Sequence, residues 1–215
     1  MTSPSADSSA RRPLKSRDVE FFRALARGLA RMGVTPNAIS CASMIFGCGA
    51  GVALAATAHV HGWALRACFL GAAAFIQLRL VCNLIDGLVA VECGKKTPTG
   101  DVWNELPDRI SDAGTLVGAG CAAGGSLVLG FIAALLAVLT AYVRALGASL
   151  GAGQDFAGPG AKPQRMAVCT GAAVLVALIP RLAVWWKGVL ILLIVLAAIT
   201  VLRRIKHLTD FLRTR

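Results

Sequence analysis

The chain has 215 residues, of which 56% are hydrophobic and only 15% are charged. A soluble domain has about a quarter charged residues, so the composition argues against an ordinary soluble protein and predicts an integral membrane protein. The net charge is +11, but most Lys and Arg residues stand near the ends of apolar segments. Cations in that position set membrane topology and contact anionic headgroups, so nucleic acid is not the expected partner.

Two segments precede the apolar part of the chain. Residues 1–16 are rich in Ser, Pro and basic side chains and are predicted to be a disordered, basic N-terminal tail. Residues 17–34 are predicted to form an amphipathic helix in the membrane interface, because apolar side chains recur there at helical spacing beside a basic face. The apolar side chains are Phe22, Leu25, Leu29 and Met32.

Residues 35–205 are predicted to form one domain of six transmembrane helices, so the expected fold class is an all-α integral membrane protein. The spans are expected near 36–58 and 64–85, from 104 to a turn at 124–125, from there to 149, and near 164–182 and 186–203. Trp185 and Trp186 are expected to anchor the last span at the interface, and residues 206–215 form a basic C-terminal tail.

Six spans place both termini on the same side of the membrane. Most of the chain's Lys and Arg residues fall on that side, so the positive-inside rule makes it cytoplasmic. We therefore expect a multi-pass protein of the inner, cytoplasmic membrane, with the polar stretch 83–112 facing the cytoplasm.

The stretch 83–112 concentrates acidic and amide side chains between apolar segments. One group lies on a single helix face at the end of the second span: Asn83, Asp86, Gly87 and Ala90. A second group lies on one face at the start of the third span: Asn104, Asp108 and Asp112. Ionised groups at a membrane edge are costly unless they are paired or metal-bound, and oxygen ligands suit Mg²⁺, Mn²⁺ or Ca²⁺.

Basic side chains near this stretch are candidates for binding phosphate. They are Lys95, Lys96, Arg144, Lys162 and Arg165. Gly87 and Ala90 have little side-chain bulk, so a ligand can approach the backbone there. The pattern predicts a site for a phosphate-bearing substrate with a divalent cation.

The ordered set of residues resembles the motif of the CDP-alcohol phosphatidyltransferase family. The family pattern is D-x2-D-G-x2-A-R-x8-G-x3-D-x3-D, and here Asn83, Asp86, Gly87, Ala90, Val91, Gly100, Asn104 and Asp108 occupy its positions with every spacing kept. The segment 158–166 (GPGAKPQRM) is similar to the family's basic loop before span 5.

The resemblance implies transfer of a phosphatidyl group from CDP-diacylglycerol to a small alcohol, with release of CMP and dependence on Mg²⁺ or Mn²⁺. It places Asn83, Asp86 and Asn104 at metal positions and Asp108 at the general base, with Gly87 and Ala90 against the cytidine nucleotide. It also implies a homodimer.

Three positions depart from the family pattern. Asn83 and Asn104 replace aspartates, and Val91 replaces an arginine. A register shifted by one helical turn would make Asp108 a metal ligand and Asp112 the base; we prefer the ungapped register because it preserves Gly100. The two amides also motivate an alternative, a catalytically silent membrane protein of the same fold that binds nucleotide or lipid.

Overall fold

The computed structural model describes residues 16–95 and 97–214, and this part of the chain is helical without a strand. Its α-helices, in chain order, are α1 (Ser16–Arg31), α2 (Pro36–Ala56), α3 (Gly62–Glu92), α4 (Gly100–Cys121), α5 (Leu127–Ser149), α6 (Lys162–Leu178) and α7 (Trp186–Arg213). Short 3₁₀ turns occupy Thr57–His59 and Pro180–Trp185. The predicted all-α class is therefore confirmed. The predicted N-terminal tail, residues 1–16, lies almost wholly outside the described residues.

Helix length and composition agree with a membrane protein. Four segments of the described chain are long and apolar enough to cross a membrane: Pro36–His59, Gly62–Glu92, Leu127–Ser149 and Pro180–Arg213. The helices α4 and α6 pack in the same bundle, but α4 carries several charged side chains and α6 has only 17 residues. The count of six spans therefore stays a prediction.

Glycines set the distance between α2 and α4. A Cβ on Gly51 would overlap the carbonyl oxygen of Gly114, and a Cβ on Gly118 would overlap the backbone of Gly51. Small residues allow this backbone-to-backbone approach, which is a common way for helices to associate in membranes. The Thr115 hydroxyl adds a hydrogen bond of 2.9 Å to the carbonyl of Gly47 across the same contact.

The three connections 57–61, 122–126 and 179–185 meet at one end of the bundle. The Ala123 amide donates to Thr57 Oγ1 at 2.9 Å, and the Lys187 amide donates to the carbonyl of Gly124 at 3.1 Å. Trp186 is buried there and donates through Nε1 to the Ala119 carbonyl at 2.8 Å. Its predicted role as an interfacial anchor is therefore wrong; of the pair, only Trp185 is exposed.

Several element ends differ from the sequence prediction. Helix α3 continues past residue 85 to Glu92, so the polar residues from Asn83 onward belong to its last turns. Helix α7 runs to Arg213, so most of the predicted C-terminal tail is helical. Basic and polar side chains do not end a helix in the absence of Gly or Pro, which explains both extensions.

Helix α1 lies against α3 at the opposite end from Trp186. Ala26 is buried with Val89 of α3, and Phe22 and Leu29 pack beside them. Arg23 and Glu92 form an ion pair of 2.9 Å between the two helices. Half of the apolar face predicted to enter the membrane thus contacts protein, while Leu25 and Met32 are exposed; the interfacial position itself stays a prediction.

Candidate active site

A cavity of about 510 Å³ opens at the end of the bundle where α3, α5 and α7 end and α4 and α6 begin. Antiparallel packing brings these helix ends together, so polar residues distant in sequence share one wall. The cavity is lined by Asn83, Leu84, Gly87, Leu88, Asn104, Glu105, Asp108, Arg109, Thr140, Ala141, Arg144, Phe156, Ala161, Lys162, Pro163, Arg165 and Arg204.

Asp108 is the most highly coordinated carboxylate in the cavity. Lys162 donates to both of its oxygens, each at 2.6 Å, and Asn83 Nδ2 donates to Oδ1 at 2.7 Å. Arg79 and Arg109 add weaker ion pairs at 3.6 and 3.5 Å. The Asp108 side chain keeps 15% of its surface exposed, so a substrate can still reach it.

Two serines of α2 hold the acidic face of α3. The Ser40 hydroxyl donates to Asp86 Oδ2 at 2.7 Å, and the Ser43 hydroxyl donates to Asn83 Oδ1. Asp86 is only 5% exposed, and it has no ion-pair partner among residues 20–95 and 97–214. A buried carboxylate without a cation beside it is costly, which makes Asp86 the strongest candidate to hold a bound cation.

Asp112 lies beneath the cavity and is fully buried. Arg79 donates to Oδ1 at 2.6 Å and Arg165 donates to Oδ2 at 2.8 Å, so each oxygen is paired with a guanidinium. Asp112 does not line the cavity. Its geometry is that of a structural ion-pair centre, which argues against the shifted register, in which Asp112 would be the base.

A second polar cluster lines the other half of the cavity. Arg144 pairs with Glu105, and its guanidinium stacks on the Phe156 ring at 5.1 Å from the ring centroid. Arg204 donates to the carbonyl of Thr140 at 2.6 Å and to that of Ala157 at 3.1 Å. These contacts join the ends of α5 and α7 to the loop before α6.

The structure brings only some of the predicted site residues to the cavity. Those that line it are Asn83, Gly87, Asn104, Asp108, Arg144, Lys162 and Arg165. Lys95 is elsewhere, because its ammonium caps the end of α1 by donating to the Ala30 carbonyl at 2.7 Å. Four other predicted site residues lie outside the lining as well, namely Asp86, Ala90, Gly100 and Asp112, and Lys96 falls outside the described residues.

Sequence reasoning missed the residues that position this site. Ser40 and Ser43 gave no signal, because hydroxyls are common in membrane helices. Arg79 did give one: a lone arginine within an apolar span needs a buried acidic partner, and Asp112 is that partner. Arg109 and Arg204 show no recognisable spacing in the sequence.

The donor set fits one hard divalent cation better than a pair. Within the described chain, no three Asp, Glu, His or Cys side chains come together in a way that could hold a metal. Asp86 offers a carboxylate, and Asn83 and Asn104 offer amide oxygens, which are acceptable but uncharged ligands. Asp108 already has its charge compensated by Lys162.

The fold is similar to that of solved enzyme structures. Phosphatidylinositol phosphate synthase from Mycobacterium tuberculosis, in complex with manganese and citrate, matches with a TM-score of 0.71 and 20% identity over 87% of this chain and 88% of that one. The same enzyme with CDP-DAG bound matches with a TM-score of 0.72 and 21% identity over 88% and 94%. The apo form matches with a TM-score of 0.67 and 22% identity over 86% and 94%.

No protein-family model matches the sequence, and comparison with curated proteins finds no match either. At about one identical residue in five, the structural likeness establishes a shared fold across nearly the whole chain. The roles of individual residues and the activity are therefore inferred from the geometry of the site.

Proposed function

We propose that this protein is a membrane phosphatidyltransferase. It transfers the phosphatidyl group of CDP-diacylglycerol to a small alcohol and releases CMP, with Mg²⁺ or Mn²⁺ as cofactor. The observation that carries the proposal is the cavity in which Asn83, Gly87, Asn104 and Asp108, at the spacing of the family motif, meet Lys162. The shared fold with a synthase that binds CDP-DAG and manganese supports it.

The nucleotide half of the substrate lies along α3 in this proposal. A Cβ on Gly87 would meet nothing within 4 Å, so the helix surface there leaves open space at the cavity wall. Lys162 lines this part of the cavity, and its ammonium makes the shortest ion pair with Asp108, at 2.6 Å. Lys162 therefore binds the diphosphate from its position beside Asp108.

Asp108 acts as the general base. Each carboxylate oxygen can accept two hydrogen bonds, so Oδ2 has capacity for a substrate hydroxyl beside Lys162. The acceptor oxygen attacks the phosphorus that carries diacylglycerol, its proton passes to Asp108, and the bond between that phosphorus and the CMP oxygen breaks. A bound divalent cation would neutralise the diphosphate and the charge that develops on departing CMP.

The acceptor is proposed to carry a phosphate group of its own. The second half of the cavity is lined by Arg109, Arg144 and Arg204 with a single carboxylate, Glu105, among them. Guanidinium groups suit bidentate recognition of phosphate, and three of them beside one carboxylate give this half of the cavity an excess of positive charge.

An acceptor screen with purified protein tests the proposal. We expect CMP release from labelled CDP-diacylglycerol to require Mg²⁺ or Mn²⁺ and to be faster with phosphorylated polyols than with their unphosphorylated counterparts. Asp108→Asn should abolish release without loss of folded protein. If no acceptor yields CMP with either metal, the protein is the catalytically silent alternative, binding nucleotide or lipid without turnover.

A further inference from the structure

The carboxylates around the cavity differ in how their charge is balanced. Asp112 is paired with Arg79 and Arg165, Glu105 with Arg144, and Asp108 with Lys162. In the described chain only Asp86, of the four, has a hydrogen bond but no cation. Asp86, next in sequence to the lining residue Gly87, is therefore the carboxylate that lacks a compensating cation, whereas Asp108 already has one.

The contact between Asn83 and Asp108 explains why an amide occupies this motif position. The amide nitrogen donates to Asp108 Oδ1 at 2.7 Å. A carboxylate is an acceptor only, so an aspartate at residue 83 would repel Asp108 at this distance unless a metal ion lay between them. Asn83 makes the contact attractive without a metal.

Lys162 supplies the remaining positive charge at the same carboxylate. Its ammonium lies 2.6 Å from each oxygen of Asp108, the position from which a divalent ion would also bind a carboxylate. A metal ion coordinated there would lie within a few ångströms of the ammonium, and like charges at that distance repel strongly in a partly buried site.

We propose that Asn83 and Lys162 together take the place of a second divalent cation at Asp108, so that the site binds a single Mg²⁺ or Mn²⁺ per chain, at Asp86. This inference rests on the proposed function and deepens it. Asn83 then has two roles, since its amide nitrogen donates to the base while its oxygen, like that of Asn104, is a neutral ligand for the single cation.

Mn²⁺ binding to the full chain in lipid nanodiscs, with CDP present and free Mn²⁺ followed by electron paramagnetic resonance, tests the stoichiometry. We expect one Mn²⁺ per wild-type chain and none for Asp86→Ala. The combined variant Asn83→Asp, Asn104→Asp, Lys162→Met should bind two. Two ions or none on the wild type, or one ion retained by Asp86→Ala, would overturn the proposal.

Single substitutions at Lys162 keep the test usable if the combined variant does not fold. Lys162→Met should strengthen Mn²⁺ binding by about tenfold or more, because a repelling charge is removed, whereas Lys162→Arg should leave it nearly unchanged. Lys187→Met, at the far end of the bundle and exposed, is the matched control and should have no effect. Equal affinities for all four proteins would contradict a role for Lys162.

The number of Mn²⁺ ions bound per chain and the release of CMP test the two proposals independently. One Mn²⁺ per chain without CMP release would contradict the proposed transferase and leave the single-cation site standing. Two Mn²⁺ per chain with CMP release would do the reverse.

Discussion

Two aspartates one helical turn apart have opposite environments. Asp108 faces the cavity beside a lysine, whereas Asp112 is fully buried between Arg79 and Arg165. Their spacing of four residues puts both on one face of α4. Asp108 is nearer the cavity and is the proposed reactive group, whereas Asp112 lies deeper in the bundle and has a structural role.

Asp112→Asn is expected to destabilise the protein. It would leave two buried guanidinium groups without a countercharge, a loss of roughly 3–5 kcal/mol for a broken buried pair. The thermal unfolding midpoint in detergent should fall markedly for Asp112→Asn and hardly move for Asp108→Asn. A stable Asp112→Asn protein that lacks only transferase activity would instead favour the shifted register, with Asp112 as the base.

For individual residues, the sequence was informative where a side chain of suitable chemistry stands at a position of the motif. The motif predicted that Asn83, Gly87, Asn104 and Asp108 would share a site, and they line one cavity. It did not predict the direction of the Asn83 amide, since hydrogen-bond polarity depends on Ser43 and Asp108 from other helices.

Helices α2 and α4 pack closely against each other because glycines line their contact. The contact runs through Gly47, Gly51, Gly114 and Gly118, and backbone lies against backbone where Gly51 meets Gly114 and Gly118. Ser40 and Ser43, which hold Asp86 and Asn83, stand on the same α2, so this contact also positions the site.

Gly51→Ala should therefore lower stability, although alanine favours helix. Its methyl group would overlap the Gly114 carbonyl, and backbone atoms there cannot move without separating the helices. Gly71→Ala is the control, because a Cβ at Gly71 meets nothing within 4 Å and helix propensity favours alanine by about 1 kcal/mol. Unfolding midpoints should fall for the first and stay level or rise for the second; equal midpoints would argue against the close packing.

Helix positions could be predicted from apolar run length, but helix ends could not. The turn at Gly124-Gly125 was placed correctly, because glycine ends a helix and Gly124 has a φ of +70°. The ends of α3 and α7 were set too early, since an apolar run stops at the water boundary while the helix continues. Trp186 was assigned to the interface because sequence does not show which neighbour of a tryptophan pair turns inward.

The molecule has one end that is rich in charged side chains, here called the polar end, and an opposite end that has fewer of them. The candidate site, the end of α1 and the loop 150–161 lie at one end, and the three connections that meet near Trp186 lie at the other. We propose that the polar end is cytoplasmic, in an inner membrane, with six crossings and both termini on that side. The homodimer stays a prediction.

Reporter fusions test this topology. Alkaline phosphatase fused after residue 60 or after residue 125 should be active, because both positions fall on the proposed outer side. Fusions after residue 94 or residue 155 should be inactive, and green fluorescent protein at those two positions should fluoresce. The opposite pattern would place the site on the outer side, and inactive phosphatase after residue 125 would mean that α4 does not cross.

The glycine contact between α2 and α4 has a consequence for how such a protein can diversify. Backbone-to-backbone packing leaves no room for a side chain, so this contact fixes how Asp108 on α4 lies relative to the two α2 serines that hold Asp86 and Asn83. The opposite wall of the cavity carries Phe156 on a loop and Arg144 at a helix end, where substitutions displace only side chains. New acceptor preferences should therefore arise through changes in the loop 150–161, leaving the residues that hold the nucleotide untouched.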